Sequence, residues 1–188
     1  MNRVSWIYQF CTVMVPMWWL KRGQKIGYCG WKHQRGEKTL ALADNLGNII
    51  APMKAKAVNI HDCILFNESF NNLIEIADLL ELDIQESFIT LDSGFDSIAN
   101  QNEILKAGLR SVIKPNLRGM KNQDKIEQKL NEFESLLNIY KERFKIERCF
   151  AWKDVYRKLV IRYERLQCTF MGFRYLAYSM INYRGIFK

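Results

Sequence analysis

Histidine is nearly absent. His33 and His61 are the only two, too few for a histidine-based metal site. The five cysteines, Cys11, Cys29, Cys63, Cys149 and Cys168, are odd in number and no two form a CxxC pair. That argues against a disulfide framework and against a zinc site, and a reducing, cytoplasmic setting is the simplest reading. There is no internal repeat, no low-complexity stretch and no linker, so the 188 residues read as one domain with a core of ordinary size. Acidic residues are in deficit, 20 against 28 lysines and arginines, which leaves a net charge of +8. A balance of this sign favours a polyanionic partner, either nucleic acid or an anionic membrane surface. No aspartate precedes Asp44. Val4 to Leu20 carries no charge and three tryptophans, and sits between Arg3 and Lys21-Arg22. This run is near the lower length limit for a membrane span. It lacks the small-residue cleavage site of a signal peptide.

What is present reads as alternating strands and helices. Residues 24–36 are polar, basic and glycine-bearing, a loop or strand entry. Thr39 to Ala43 and Asn48 to Met53 predict two strands joined at Asn45-Leu46-Gly47. Ile60 to Leu80 has mostly helical spacing. Ser87 to Leu91 is a short apolar run that ends at Asp92 and predicts a buried strand. Ser97 to Ala107 predicts a helix, and Leu109 to Ile113 a strand stopped by Pro115. Strand, helix, strand in that order implies a parallel pair. Lys125 to Asn138, Tyr140 to Leu159 and Leu166 to Tyr183 predict three further helices. The sum is an α/β domain with a mixed sheet.

Two groups of residues carry chemistry. The first is LDSGFDS, residues 91–97. A carboxylate at the C-terminal end of a buried strand projects into the crevice where open α/β sheets bind ligands, and Asp92 holds that place. Asp96 and Ser97 fit a helix cap. The second is Tyr140, Arg143 and Glu147, which on one regular helix make a stripe about 60° wide. Phe144, Ile146, Cys149, Phe150 and Trp152 give that helix too much apolar surface for a solvated polar helix. Asp44 is explained by turn chemistry, Asp62 by the dipole at a helix start, and His61 reads as structural. Three basic clusters could follow a nucleic-acid backbone or be ordinary solvated charge: Lys32, Arg35 and Lys38; Lys114, Arg118 and Lys121; and Arg157, Lys158, Arg162 and Arg165.

Together these blocks resemble the DDE transposases of bacterial insertion sequences. The resemblance runs from about Gln24 to Tyr183 through KIGYCGWKHQRGEKTLALADNLGNIIAP, VNIHDC, LDSGFDS and IERCFAWKDVYRKLVIRYER. It implies an RNase H-like mixed sheet with flanking helices, and DNA cleavage and strand transfer with Mg2+ or Mn2+. The family's tyrosine, arginine and glutamate fall on Tyr140, Arg143 and Glu147. Its lysine position holds Asp154, a departure from the pattern, and Lys158 returns to the same face one turn further on. By resemblance, Asp92 and Glu147 are the second and third metal-binding acids. Tyr140, Arg143, Lys114, Arg118 and Lys158 would contact phosphate or DNA. The partners implied are transposon ends and target DNA, with a homodimer or intact transposase as further candidates and no membrane. The alternative is a non-catalytic fragment that binds DNA or intact transposase, as a regulator or as the product of a decayed gene.

The family also expects an Asp-Gly-Ser/Thr strand shortly before KRGQKIGY, and here that place reads VMVPMWWLKRG. Methionine and tryptophan have one codon each, so a one-base shift can be read through them. If the Val13 codon ends in G, the shifted frame gives aspartate and then glycine across Met14. Serine or threonine is available next, and two valines arise across Trp18 and Trp19. Residues 1–23 are therefore expected to be an aberrant, out-of-frame segment of an N-terminally truncated chain, and 24–188 the catalytic domain. The first strand is expected to be degraded or missing and the chain inactive, since the first acidic ligand is gone.

Overall fold

The structure, a computed structural model, describes residues 23–30, 33–50, 53–160 and 162–186. The expectations for Val4–Leu20 and for the first strand lie outside the described residues. The chain runs β1 (Gly27–Cys29), β2 (Gln34–Leu40), β3 (Lys54–Ala57), α1 (Asp62–Leu79), β4 (Phe88–Leu91), a single 3-10 turn (Ser93–Phe95), α2 (Ile98–Lys106), β5 (Arg110–Ile113), α3 (Gln123–Ser135), α4 (Leu137–Lys141), α5 (Phe144–Asp154), α6 (Arg157–Val160) and α7 (Gln167–Ile186). It is a mixed α/β architecture. No described helix is long and apolar enough to cross a membrane.

The expected parallel pair is present: β4 lies parallel to β5, with Phe88 opposite Arg110 and Leu91 opposite Ile113. The expected single mixed sheet is not what the described strands form. They make two sheets, an antiparallel β1-β2-β3 meander and the β4-β5 pair. No strand pairing among the described residues joins them, yet they share one core. Leu40, at the end of β2, and Leu42, just beyond it, pack with Ile89 and Leu91 of β4 and with Leu65, Phe66, Phe70 and Leu73 of α1. The alternate residues Ala41 and Ala43 pack on the other side with Ile146 and Phe150 of α5 and Tyr178 and Ile181 of α7. Period-2 alternation along one strand thus builds both cores. The Leu40–Ala43 segment lies between α1 on one side and α5 and α7 on the other.

The hairpin differs from its sequence-based limits. The continuous ladder pairs Glu37–Leu40 with Lys54–Ala57, and beyond it Ala43 bridges Ile49. Three steps separate Leu40 from Ala43 but five separate Ile49 from Lys54, so the register shifts by two residues and the strands break there. The expected turn holds. Asp44 Oδ1 accepts from the backbone N–H of Leu46 (2.9 Å) and Asn48 (2.8 Å), and Gly47 has φ +91°, a conformation that glycine adopts without strain. The Gly47 carbonyl accepts from the Cys149 thiol, which seats the hairpin tip on α5. Burial pushes that thiol up to about 11, so it packs as an uncharged group.

The helix expected over Tyr140–Leu159 is three helices. Between α4 and α5 the backbone stays right-handed at Glu142 and Arg143. Its hydrogen bonds there span three residues, with Arg143 N–H donating to Tyr140 O and Ile146 N–H to Arg143 O. That is 3-10 winding, in which residues three apart eclipse.

Candidate functional site

Asp92 follows β4 directly. Its backbone is extended, with φ −72° and ψ 162°, and begins the 3-10 turn, while its side chain makes no cap hydrogen bond to that turn. The carboxylate is therefore available to groups beyond the strand end. Arg143 Nη2 donates to Asp92 Oδ2 at 3.0 Å and lies 2.9 Å from Oδ1. Tyr140 Oη donates to Oδ1 at 3.4 Å. The same Arg143 nitrogen lies 3.5 Å from Glu147 Oε1, one helical turn away. A single guanidinium therefore links the two carboxylates, one from the strand end and one from α5. The tight winding at residues 140–146 helps, because it brings Tyr140 and Arg143 into line. The Tyr140 ring lies 5.5 Å from the guanidinium and is fixed by an edge-on contact with Phe133 of α3 at 4.9 Å.

The Asp92 carboxyl is pushed above its ordinary value. Burial is the chief cause; the Arg143 guanidinium opposes it, as does the Tyr140 hydrogen bond. The charge on Glu147 adds to the rise, and Lys114 counters it from the loop after β5. A carboxylate held against its own desolvation by one arginine, at the end of a strand, is a candidate site on physical grounds.

The structure therefore brings together Asp92, Tyr140, Arg143 and Glu147, with Lys114 close enough to be felt. Arg118 is exposed in the loop after β5, its backbone N–H donating to Asn116 Oδ1 at 3.2 Å. Lys158 is elsewhere. α5 ends at Asp154, Lys158 belongs to α6, and its ammonium sits 5.4 Å over the Phe173 ring of α7. Lys153 is buried and pairs with Asp154 at 2.8 Å. Burial lowers its pKa, with Asp154 opposing.

Other expectations fall into place around the site. Ser97 Oγ accepts from Asn100 N–H and caps α2, and His61 Nδ1 accepts from Cys63 N–H at the start of α1. Asp96 does not cap. It accepts from Asn116 N–H at 2.8 Å and from Lys129 at 3.4 Å, tying the loop after β5 and helix α3 to the turn that follows Asp92. Two residues of the proposed basic clusters are not solvated charge. Lys38 is buried and pairs with Asp62, which also bears on Asp62's reading as a dipole residue alone. Arg162 is buried and pairs with Glu37 at 2.7 Å. Arg174 of α7, which sequence reasoning missed, lies 3.4 Å from the other Glu37 oxygen and donates to Thr39. Both guanidiniums stack on Phe170. Helical spacing gives no sign of a buried ion pair with a strand more than a hundred residues away.

The two linked carboxylates suit a hard divalent cation in kind, since such ions take oxygen ligands and keep several waters. The Arg143 guanidinium is already a cation shared between them. Among the described residues, no group of three or more His, Cys, Asp and Glu side chains could hold a metal ion.

A family model described as the transposase DDE domain matches residues 89–184, just over half the chain and a span that includes Asp92, Tyr140, Arg143 and Glu147. Among curated proteins, no sequence matches this one.

Proposed function

The chain belongs to the transposase DDE domain family, and from that premise we propose that it is the catalytic domain of an insertion-sequence transposase whose acidic site is incomplete. The observation that carries this is the Arg143 bridge between Asp92 and Glu147, inside the matched span. Asp92 and Glu147 would hold Mg2+ or Mn2+, which when bound supplies Lewis-acid polarisation of a phosphoryl oxygen and activation of the attacking hydroxyl. Arg143 presents a planar fork suited to phosphate, with Tyr140 fixing its position. Lys114 and Arg118, on the loop next to Asp92, would contact the DNA backbone, and Lys158 would meet DNA further out. The DNA partners would be transposon ends and target, the setting cytoplasmic, and the fold RNase H-like.

The first acid is the element in deficit. Glu37 is the first acidic residue of the chain, and it is sealed between two arginines. Asp44 is spent on its turn and Asp62 on Lys38. We read residues 1–20 as the out-of-frame remnant of the strand that carried the missing aspartate. Purified chain should accordingly bind duplex DNA with an affinity that falls steeply with salt, and should join no DNA in Mg2+ or Mn2+. Robust metal-dependent joining would refute the incomplete site, and salt-insensitive binding would refute the phosphate contacts. A second reading, a non-catalytic fragment that regulates by binding DNA or intact transposase, is favoured by the same lack of a first acid. It predicts inhibition of an intact relative in a mixed reaction.

A further inference from the structure

We propose that Arg143 is an exchange group: it holds the Asp92 and Glu147 carboxylates as an internal counter-ion until a divalent cation and a DNA phosphate arrive together. This rests on the proposed function and goes beyond it by assigning an order and a coupling to the two ligands. The geometry requires a choice. One nitrogen of the guanidinium lies within 3.0 Å of Asp92 and 3.5 Å of Glu147, so a cation bound by both carboxylates would sit against a like charge. The arginine must then yield its place. Its side chain is one-fifth exposed, with the guanidinium 5.5 Å from the Tyr140 ring, and rotation about its flexible stem would carry the guanidinium away from the two carboxylates. Lys114, whose charge already reaches Asp92, and Arg118 are exposed on the loop after β5 and would add positive charge for a phosphate.

The consequence is positive coupling. Without phosphate, Arg143 competes with the cation. With phosphate bound, the guanidinium has a new anion and the carboxylates are released to the metal. Linkage makes the effect reciprocal, so the cation must strengthen duplex binding by the same factor. A domain built this way keeps the metal off its carboxylates until DNA is in place.

The test is direct Mn2+ binding to the full chain, read from the free-ion electron paramagnetic resonance signal, with duplex affinity read separately by fluorescence anisotropy of a labelled duplex at matched ionic strength. Arg143→Gln should bind Mn2+ about tenfold more tightly than the unaltered chain in the absence of DNA, within the range usual for coupled sites. Arg148→Gln removes an equal charge five residues further on, but that guanidinium faces Trp152 and the Leu46 carbonyl, and its Mn2+ affinity should stay unaltered. Mn2+ should tighten duplex binding by the unaltered chain and leave Arg143→Gln unaffected. Arg143→Lys keeps the charge without the fork and should keep weak Mn2+ binding, which serves if the glutamine variant folds poorly. Equal or weaker Mn2+ binding by Arg143→Gln, with Asp92→Asn still abolishing it, would overturn the exchange and leave the metal site standing. Mn2+ binding that ignores both Asp92→Asn and Glu147→Gln, or none at all, would overturn both.

Discussion

Two clusters of this protein use the same side-chain chemistry to opposite ends. Around Glu37, one carboxylate meets two guanidiniums, Arg162 and Arg174, and all three residues are almost wholly buried. Around Arg143, one guanidinium meets two carboxylates, Asp92 and Glu147, with side chains 39% and 58% exposed. The first is sealed between β2, α7 and the segment preceding α7, where Phe170 stacks on both arginines and no ligand can enter. The second opens at the end of β4 and carries a surplus of negative charge. Sign and access separate them: a buried cluster with excess cation holds layers together, and an open cluster with excess carboxylate is suited to meet a cation from solution.

The largest expected effect is on the sealed cluster. Glu37→Gln leaves two desolvated arginines without their anion, and breaking such a pair costs roughly 3–5 kcal/mol. Denaturant unfolding should show a loss of that order, or no folded protein. A loss under about 1 kcal/mol would mean that the cluster is as well hydrated as a surface pair, and the contrast would collapse. Arg143→Gln should cost less, under about 1 kcal/mol, because it breaks an ion pair that water already screens. Its effect should appear in ligand binding instead. A stability loss as large as that of Glu37→Gln would make the Arg143 bridge structural.

The smallest effect is a matter of sign. The Asp92 carboxyl lies above its ordinary value in the folded protein, so the folded state holds that proton more tightly than the unfolded state. Asp92 is then best tolerated when protonated, and it weakens the fold as pH rises through its folded value. Asp92→Asn, which cannot ionise, should melt slightly higher than the unaltered chain at neutral pH. The gap should close in acid, below the ordinary carboxylate range. A variant that melts lower at neutral pH would mean that the Arg143 pairing outweighs burial. The other sign fits a residue kept for chemistry at some expense in stability.

Much of the site was legible because it rests on local grammar. A buried strand that stops at Asp92 and the spacing of Tyr140, Arg143 and Glu147 needed no knowledge of distant contacts. The same grammar placed the turn at Asp44, the Ser97 cap and the parallel β4-β5 pair. It failed where tertiary partners decide. Helical spacing across 140–159 is compatible with one helix, and it does not reveal the 3-10 winding at Glu142-Arg143 or the stop at Asp154. Lys38 and Arg162 read as exposed positive charge because their partners, Asp62 and Glu37, are 24 and 125 residues away. The two-residue register shift beyond Leu40 moved the hairpin's strands outward from the apolar runs that suggested them.

We read the Arg143-linked carboxylates as a cation site of this DDE transposase domain. Crystals of the chain grown with Mn2+ and a short duplex would test it most directly, through the anomalous scattering of the metal. A manganese peak in coordinating contact with carboxylate oxygens of both Asp92 and Glu147, with the Arg143 guanidinium turned to a phosphate, is the predicted result. Manganese bound elsewhere, with Arg143 still bridging the two carboxylates beside bound DNA, would contradict it.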